Sequence, residues 1–303
     1  MRTDHVSLAK RTRRLRGPQA SPAPRESSSI RFTTESNDPF GAARLRVRLR
    51  LNMNLPSPPK LLKQISVPIE AALKAKLILR YKRFLADIAL EDGSEITVHC
   101  PNPGSMTGTR APGSSVRCST HDSKKRKLRH TLEMIRVGRV WVGLHAAKAN
   151  DVARRVFEAN AFEPFVGYET IEREVSVEEG SRFDFRLSNH PETDVPCWVE
   201  VKSVTLCSDR RARFPDAVTT RGRRHLEHLM ARRKRGERVA LLYIVQRADA
   251  DVIAPADDID PEYGRTLREA ANSGVELYAL SARVLGDRIR VERALPIDLS
   301  IDA

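Results

Sequence analysis

Two carboxylates and a lysine carry the clearest chemical signal in the sequence. The segment Cys197-Trp-Val-Glu-Val-Lys-Ser-Val204 reads as a β-strand whose alternation sends Val199 and Val201 to one face and Glu200 and Lys202 to the other. Two charges in so apolar a strand cost several kcal/mol, roughly, unless they pair or bind a metal. The preceding run, Ser181-Arg-Phe-Asp-Phe-Arg-Leu-Ser188, alternates Phe183, Phe185 and Leu187 against Arg182, Asp184 and Arg186, which sets Asp184 across from Glu200. Two hard carboxylates are what Mg2+ usually takes from protein, with phosphate and water completing its octahedron. Such an ion activates water and neutralises charge on a reacting phosphate, while a lysine orients that water or stabilises the anion. Asp184, Glu200 and Lys202 are therefore the candidate catalytic set, with Mg2+ (or Mn2+) as cofactor. The same side chains would also serve as structural ion pairs, Glu200 with Lys202 or Asp184 with Arg182. The other acid-x-Lys triplet, Asp122-Ser-Lys124, lies in a polar turn.

Hydrophobic periodicity predicts the elements that must hold these residues. Ala149, Val152, Ala153 and Val156 repeat at helical spacing within residues 147–158. Strand-like runs follow over 170–177, 181–188 and 195–206. Next comes a basic segment whose stripe of Leu226, Leu229 and Met230 marks a helix that Gly236 stops. A buried strand over 238–247, a helix over 261–272 and a strand over 275–285 complete the order. Upstream, runs at 77–90, 95–100, 115–119, 130–137 and 139–145 predict five short strands, enough for a small closed barrel. The expected organisation is a disordered basic extension over 1–60, the barrel over 61–145 and a mixed α/β domain over 146–303.

Charge points to the partner. The chain of 303 residues carries 53 Lys and Arg against 39 Asp and Glu, a net of +14 that favours polyanions and makes nucleic acid the first candidate. The extension holds +9 of this and residues 210–238 a further +8, with a third block at Lys124-Lys-Arg-Lys127, so the rest of the core is net acidic. The extension resembles a transit peptide in being Arg-rich and acid-poor, and Met53 offers a second start shortly before the patterned chain. The longest apolar run, Val239–Val245, is far below the roughly 18 residues that span a bilayer, so a membrane-spanning helix is excluded. Four cysteines at long, unequal spacing indicate neither a zinc ribbon nor a disulfide framework, which suits a reducing compartment. Phosphate-loop, zincin and serine-hydrolase motifs are absent from the sequence.

The order helix, strand, strand with Asp184, strand with Glu200-Val-Lys202, helix, strand resembles the PD-(D/E)xK nuclease core over residues 147–247. That resemblance implies metal ligation by Asp184, Glu200 and the main-chain carbonyl of Val201, with Lys202 catalytic. A longer series of motifs resembles the sugar fermentation stimulation protein A family: Arg80-Tyr-Lys-Arg-Phe-Leu-Ala-Asp87, Val98-His-Cys-Pro-Asn-Pro-Gly-Ser-Met-Thr-Gly108, Lys124–Lys127, Ser181–Asp184, Val199–Lys202, Phe214–Gly222 with His225, and Val245–Arg247. Membership implies an α+β chain with an N-terminal OB-fold barrel and a C-terminal restriction-endonuclease-like domain. It also implies DNA binding, and a link to maltose metabolism through which a non-catalytic regulator is the alternative to a nuclease. The expected partner is DNA of unspecified strand form, with no membrane. A homodimer is compatible with this reading, as is a cytoplasmic location with nucleoid association. Pro103 stands where the family usually has Thr, and Leu144-His145 where it has Val-Asn; neither touches the carboxylate and lysine set.

Candidate DNA contacts are Arg80, Tyr81, Lys82 and Arg83, cations interleaved with aromatics on a barrel strand, then Lys124, Lys125, Arg126 and Lys127, then Arg221, Arg223, Arg224 and His225. Phe84 is expected in the core. Further site residues are Glu158, as a third carboxylate or part of a solvated stripe, Asp216, as a neighbour of entering phosphate or an ion-pair partner of Arg221, and Gln246 and Arg247 at a strand end. His225 and His228 are expected at the surface or on phosphate.

Overall fold

The computed structural model describes residues 61–177 and 182–301. The basic extension with Met53, and Ser181 of the Asp184 motif, lie outside the described residues. The described residues begin with a single 3-10 turn (Leu62–Gln64) and a short strand, β1 (Ser66–Pro68), followed by a barrel of β2 (Leu73–Tyr81), β3 (Leu85–Ala89), β4 (Glu95–His99), β5 (Ser115–Thr120) and β6 (His130–Val137). β2 pairs with β3 and β5, β3 with β4, and β5 with β6, all antiparallel. A parallel bridge between His99 and Thr131 joins β4 to β6 and closes five strands in the ring order of an OB-fold. β7 (Val140–Gly143) extends β6 as a hairpin. Alternate residues fill the interior, among them Leu77, Ala86, Ile88, Val98, Val116 and Leu132.

One predicted strand is in fact two. The chain turns at Lys82, Arg83 and Phe84, with Tyr81 paired to Leu85. No Gly, Pro or Asn announces this turn; Lys82 and Arg83 adopt positive φ of 46° and 63°, a region costly for long side chains. Arg80 holds it from behind, donating from Nη2 to the Arg83, Asn102 and Gly104 carbonyls at 2.7, 2.9 and 2.7 Å. Phe84, expected in the core, is 44% exposed because it belongs to the turn and not to a strand face.

The C-terminal domain runs α1 (Lys148–Glu158), β8 (Thr170–Ser176), β9 (Arg182–Ser188), β10 (Cys197–Val204), β11 (Cys207–Ser208), β12 (Arg211–Phe214), α2 (Thr220–Lys234), β13 (Arg238–Val245), β14 (Val252–Pro255), α3 (Pro261–Asn272), β15 (Glu276–Val284) and β16 (Arg288–Ala294). Its seven-stranded sheet has the order β1-β16-β15-β13-β10-β9-β8, with β10, β13 and β15 parallel at the centre and antiparallel strands at both edges. β13 is covered on both faces, which is why it reads as one apolar run with no alternation. α1 covers one face through Ala149, Val152, Ala153 and Val156. α2 and α3 cover the other through Leu226, Leu229 and Leu267. The Thr219 side chain caps α2 by accepting from the Gly222 N–H, and Asp260 caps α3 by accepting from Tyr263. The small sheet of β11, β12 and β14, and the pairing of β1 with β16, carry no local sequence signature.

Barrel and C-terminal domain meet at Asp216, whose carboxylate accepts the Met106 N–H at 2.8 Å while its carbonyl accepts the Ser105 hydroxyl. A Cβ at Gly104 would fall on that carboxylate. Gly104→Ala is therefore expected to destabilise the protein by roughly 1–3 kcal/mol. In an Asp216→Ala background the same change should cost much less, because the clashing atoms are gone. Denaturation midpoints of the four combinations test this, and equal cost in both backgrounds would show that the seam is not the cause.

Candidate active site

Glu200 is 3% exposed in the centre of the sheet. Alternation along β10 places Val199 and Val201 in the α1-side core and turns Glu200 and Lys202 toward α2. Lys202 Nζ donates to Glu200 Oε1 at 2.6 Å, and His225 Nδ1 of α2 contacts the same oxygen. Arg221 Nε donates to His225 Nε2 at 3.2 Å. A guanidinium cannot accept and a carboxylate cannot donate, so Nε2 is the acceptor and the ring proton sits on Nδ1, donating to Glu200, while the Lys202 ammonium, 3.1 Å from that nitrogen, donates to Glu200 instead. Burial pushes the Glu200 carboxyl up, but the Lys202 ammonium and the His225 hydrogen bond outweigh it and hold the group below its ordinary value.

Asp184 lies one step beyond the last paired residues of β9 and β10, Phe185 and Val199, and so stands opposite Glu200. Its Oδ1 accepts from Asn150 Nδ2 of α1 and its Oδ2 from the Val201 N–H, each at 2.8 Å. Burial, and then the Glu200 charge, push the Asp184 carboxyl up, while the Val201 and Asn150 hydrogen bonds work the other way without cancelling them. Of the two structural ion pairs weighed as alternatives, Glu200 with Lys202 is formed and Asp184 with Arg182 is not; Arg182 reaches Glu174 at 3.1 Å.

Asn150, which the sequence did not single out, is the α1 residue that reaches the site, and Glu158 belongs to the solvated stripe that was its other expected place. Asn150, Arg154 and Glu158 form an i, i+4, i+8 stripe on α1, and the site uses the first of the three. Glu158 pairs with Arg154 at 3.0 Å at the far end of the helix and is no third carboxylate. Its polar place between buried Ala149 and Val152 was the available signal for Asn150.

Several expected DNA contacts have other work. The Arg80 guanidinium binds loop carbonyls, Tyr81 donates to Asp87 Oδ1 at 3.1 Å, and Arg223 pairs with buried Asp260 at 3.1 Å. Asp216 joins the domain seam and does not pair with Arg221. Gln246 is fully buried between the domains, donating to the His145 carbonyl at 3.2 Å and Ser203 Oγ at 2.8 Å. Arg247 is buried on Asp249 and the Thr205 carbonyl. Folding placed Gln246 at the domain junction and turned Arg247 inward within the C-terminal domain. His225 sits in the carboxylate cluster and not at the surface. Lys82, Arg83, Lys124, Lys125, Arg126, Lys127, Arg221 and Arg224 remain exposed.

A cleft of about 410 Å3 runs between the domains, lined by Arg83 and Pro103 from the barrel and by Ser203, Thr219 and Arg221 from the C-terminal domain. Arg221 thus borders the cleft and touches the cluster through His225. Among the described residues no three His, Cys, Asp or Glu side chains gather as a metal cage. A cation here would draw on Asp184 and Glu200, whose Oε1 meets both Lys202 and His225, and on the Val201 carbonyl. That carbonyl lies on the same side of β10 as the N–H that reaches Asp184. Two carboxylates and a carbonyl, with water and phosphate completing the shell, fit Mg2+.

The two carboxylates should affect stability with opposite signs. Glu200, held below its ordinary 4.5, contributes stability above that pH which is lost as pH falls through its folded value. Asp184, raised above 3.8, favours the fold at low pH and opposes it as pH rises through the interval up to its folded value. In chelator at pH 7, Glu200→Gln is expected to lose about 3 kcal/mol or more by stranding the Lys202 ammonium. Asp184→Asn is expected to raise the midpoint, by an amount that shrinks as pH approaches 3.8. Midpoints that move together would overturn this assignment.

With the geometry in place, the comparisons with known proteins agree on one family. The SfsA N-terminal OB domain matches residues 78–144 and the sugar fermentation stimulation protein RE domain matches residues 147–288. A sugar fermentation stimulation protein homolog of Geotalea uraniireducens is 44% identical over 234 residues, covering 77% of this chain and 99% of its own. A homolog from Geobacter sp. strain M21 is 47% identical over 221 residues, covering 73% and 94%. The structure of Pyrococcus furiosus SfsA in complex with Ca2+ shares the fold with a TM-score of 0.70 at 22% identity, covering 77% of this chain and 98% of that one. Two domain matches in order, and relatives matched over nearly their whole length, establish that this chain belongs to the sugar fermentation stimulation protein family.

Proposed function

We propose that the protein is a Mg2+-dependent deoxyribonuclease: the region 61–145 holds DNA and the region 146–303 hydrolyses its phosphodiester backbone. The observation that carries this reading is the convergence of Asp184, Glu200 and Lys202, from two adjacent strands, beside a cleft bordered by arginine. Asp184, Glu200 and the Val201 carbonyl would hold the cation, and the same class of cation, Ca2+, accompanies the Pyrococcus furiosus protein of this fold. When bound, the ion would supply a water of lowered pKa and neutralise charge on the phosphate. Lys202 stabilises the developing anion with its ammonium, already aimed along the carboxylate edge. His225, held as the Nδ1–H tautomer by Arg221, orients Glu200, and the guanidinium nitrogens of Arg221 outside that bond face phosphate in the cleft. Exposed Lys124–Lys127, Arg83 and Arg224 add sequence-independent affinity that falls with salt. This reading puts the protein with DNA in the cytoplasm; among the described residues no helix is long and apolar enough to cross a membrane.

A specific observation favours the alternative, a DNA-binding regulator of sugar metabolism that keeps the nuclease fold without cleaving. Glu200 is already satisfied by Lys202 and His225, so the cluster is self-sufficient as an ion pair. Labelled single- and double-stranded DNA, incubated with Mg2+, Mn2+ or chelator, separates the two. The nuclease reading expects cleavage only with metal. Lys202→Ala should lower the rate by roughly 10²–10³-fold with DNA affinity in chelator nearly unchanged, because the ammonium serves the transition state. No cleavage of either strand form with either metal would leave the regulator.

A further inference from the structure

The barrel carries an exposed aromatic that the hydrolytic cluster does not use. Phe84 projects from the β2–β3 turn, its ring stacked at 24° and 6.5 Å on His99 of β4. The turn is strained at Lys82 and Arg83 and braced by Arg80, and a braced, strained turn that exposes two cations and a ring is a common sign of binding. Arg126, in the basic loop between β5 and β6, donates to Thr131 Oγ1 at 2.9 Å, and Thr131 is the residue bridged to His99. The two loops that flank the platform are those between the first and second and between the fourth and fifth barrel strands, the pair with which OB-folds grip oligonucleotides. Burial and then the Arg126 charge lower the His99 pKa, which disfavours a charged ring behind Phe84. From there Arg83 leads into the cleft that Arg221 borders.

We infer that Phe84 is a stacking platform for an unpaired base, with Lys82, Arg83 and Arg126 on the flanking phosphates, so that the substrate is single-stranded DNA or a single-stranded end. The reason is access: in a duplex both faces of each base are covered by neighbours, and only an unpaired base offers a face to a protein ring. This rests on the DNA reading above but not on cleavage.

The test is binding of the full chain, in chelator, to a labelled 12-nucleotide oligo-dT, to its duplex with oligo-dA, and to an abasic strand of equal charge. Phe84→Ala should weaken oligo-dT binding roughly 5- to 150-fold. Abasic and duplex affinities should stay within about twofold, since phosphate contacts carry those. Phe84→Trp should restore oligo-dT binding, with added indole emission that oligo-dT quenches and the abasic strand does not. An unchanged oligo-dT affinity in Phe84→Ala, or an equal loss on all three ligands, would overturn the platform while leaving the DNA reading intact. Failure of the wild type to bind any of the three would sink the DNA reading and the platform together. Binding without cleavage in Mg2+ would remove the nuclease and keep the platform.

Discussion

A carboxylate buried inside a mixed sheet is tolerable only where cations and donors reach it, and Glu200 is such a carboxylate. The nearest cation is supplied by β10 itself, since a residue two positions on returns to the same face and Lys202 needs no tertiary help to find it. The second donor comes from another element. α2 must pack so that His225 descends onto the sheet, and Leu226 and Leu229 beside it set that depth. Arg221, one turn earlier, then fixes the tautomer. An arginine-rich helix is thus seated by Leu226 and Leu229 below, by the Arg223 pair with Asp260, and by one hydrogen-bonded histidine at the carboxylate.

The same strand organises the opposite edge. Pairing of β9 with β10 ends at Phe185 and Val199, which leaves the Val201 N–H without a ladder partner on that side. The Asp184 carboxylate takes that donor, and Asn150 of α1 takes its other oxygen. Asp184 and Glu200 therefore have contrasting environments: one is satisfied by neutral donors and repelled by its neighbour, the other is neutralised by a lysine. A divalent cation placed between them would relieve the first without requiring the second to leave the sheet.

The barrel is tied to this apparatus by apolar contacts, with Met134 and Trp141 packed into the α1-side core, and by a set of polar ones. Asp216 reaches the loop at 104–106, Gln246 reaches His145, and His145 Nδ1 lies 3.0 Å from buried Glu133 inside the barrel. His145 thus stands at the junction. Pro103 offers its carbonyl to Arg83 beside the cleft.

Much of the site was legible because it is local. The i, i+2 placement of Glu200 and Lys202 follows from strand period alone, and the Asp184 alternation needed only that β9 pair with β10. Helices α1, α2 and α3 were readable from apolar stripes, and α3 also from its Asp-Pro start. What only the tertiary structure decided are contacts between residues far apart in the chain. His225 joined Glu200 rather than the surface, Asn150 reached Asp184, Arg80 and Arg223 satisfied internal acceptors, Asp216 and Gln246 became part of the domain junction, and Arg247 closed on Asp249 and the Thr205 carbonyl. Each is a polar group with several partners within reach of its type, and which one it meets depends on how helices and loops pack over the sheet. Phe84 shows the same limit for an apolar residue. Its period suited a strand, but Arg80 anchors the chain to the 102–105 loop and turns it at Lys82, and an interaction across some twenty residues leaves no periodic trace.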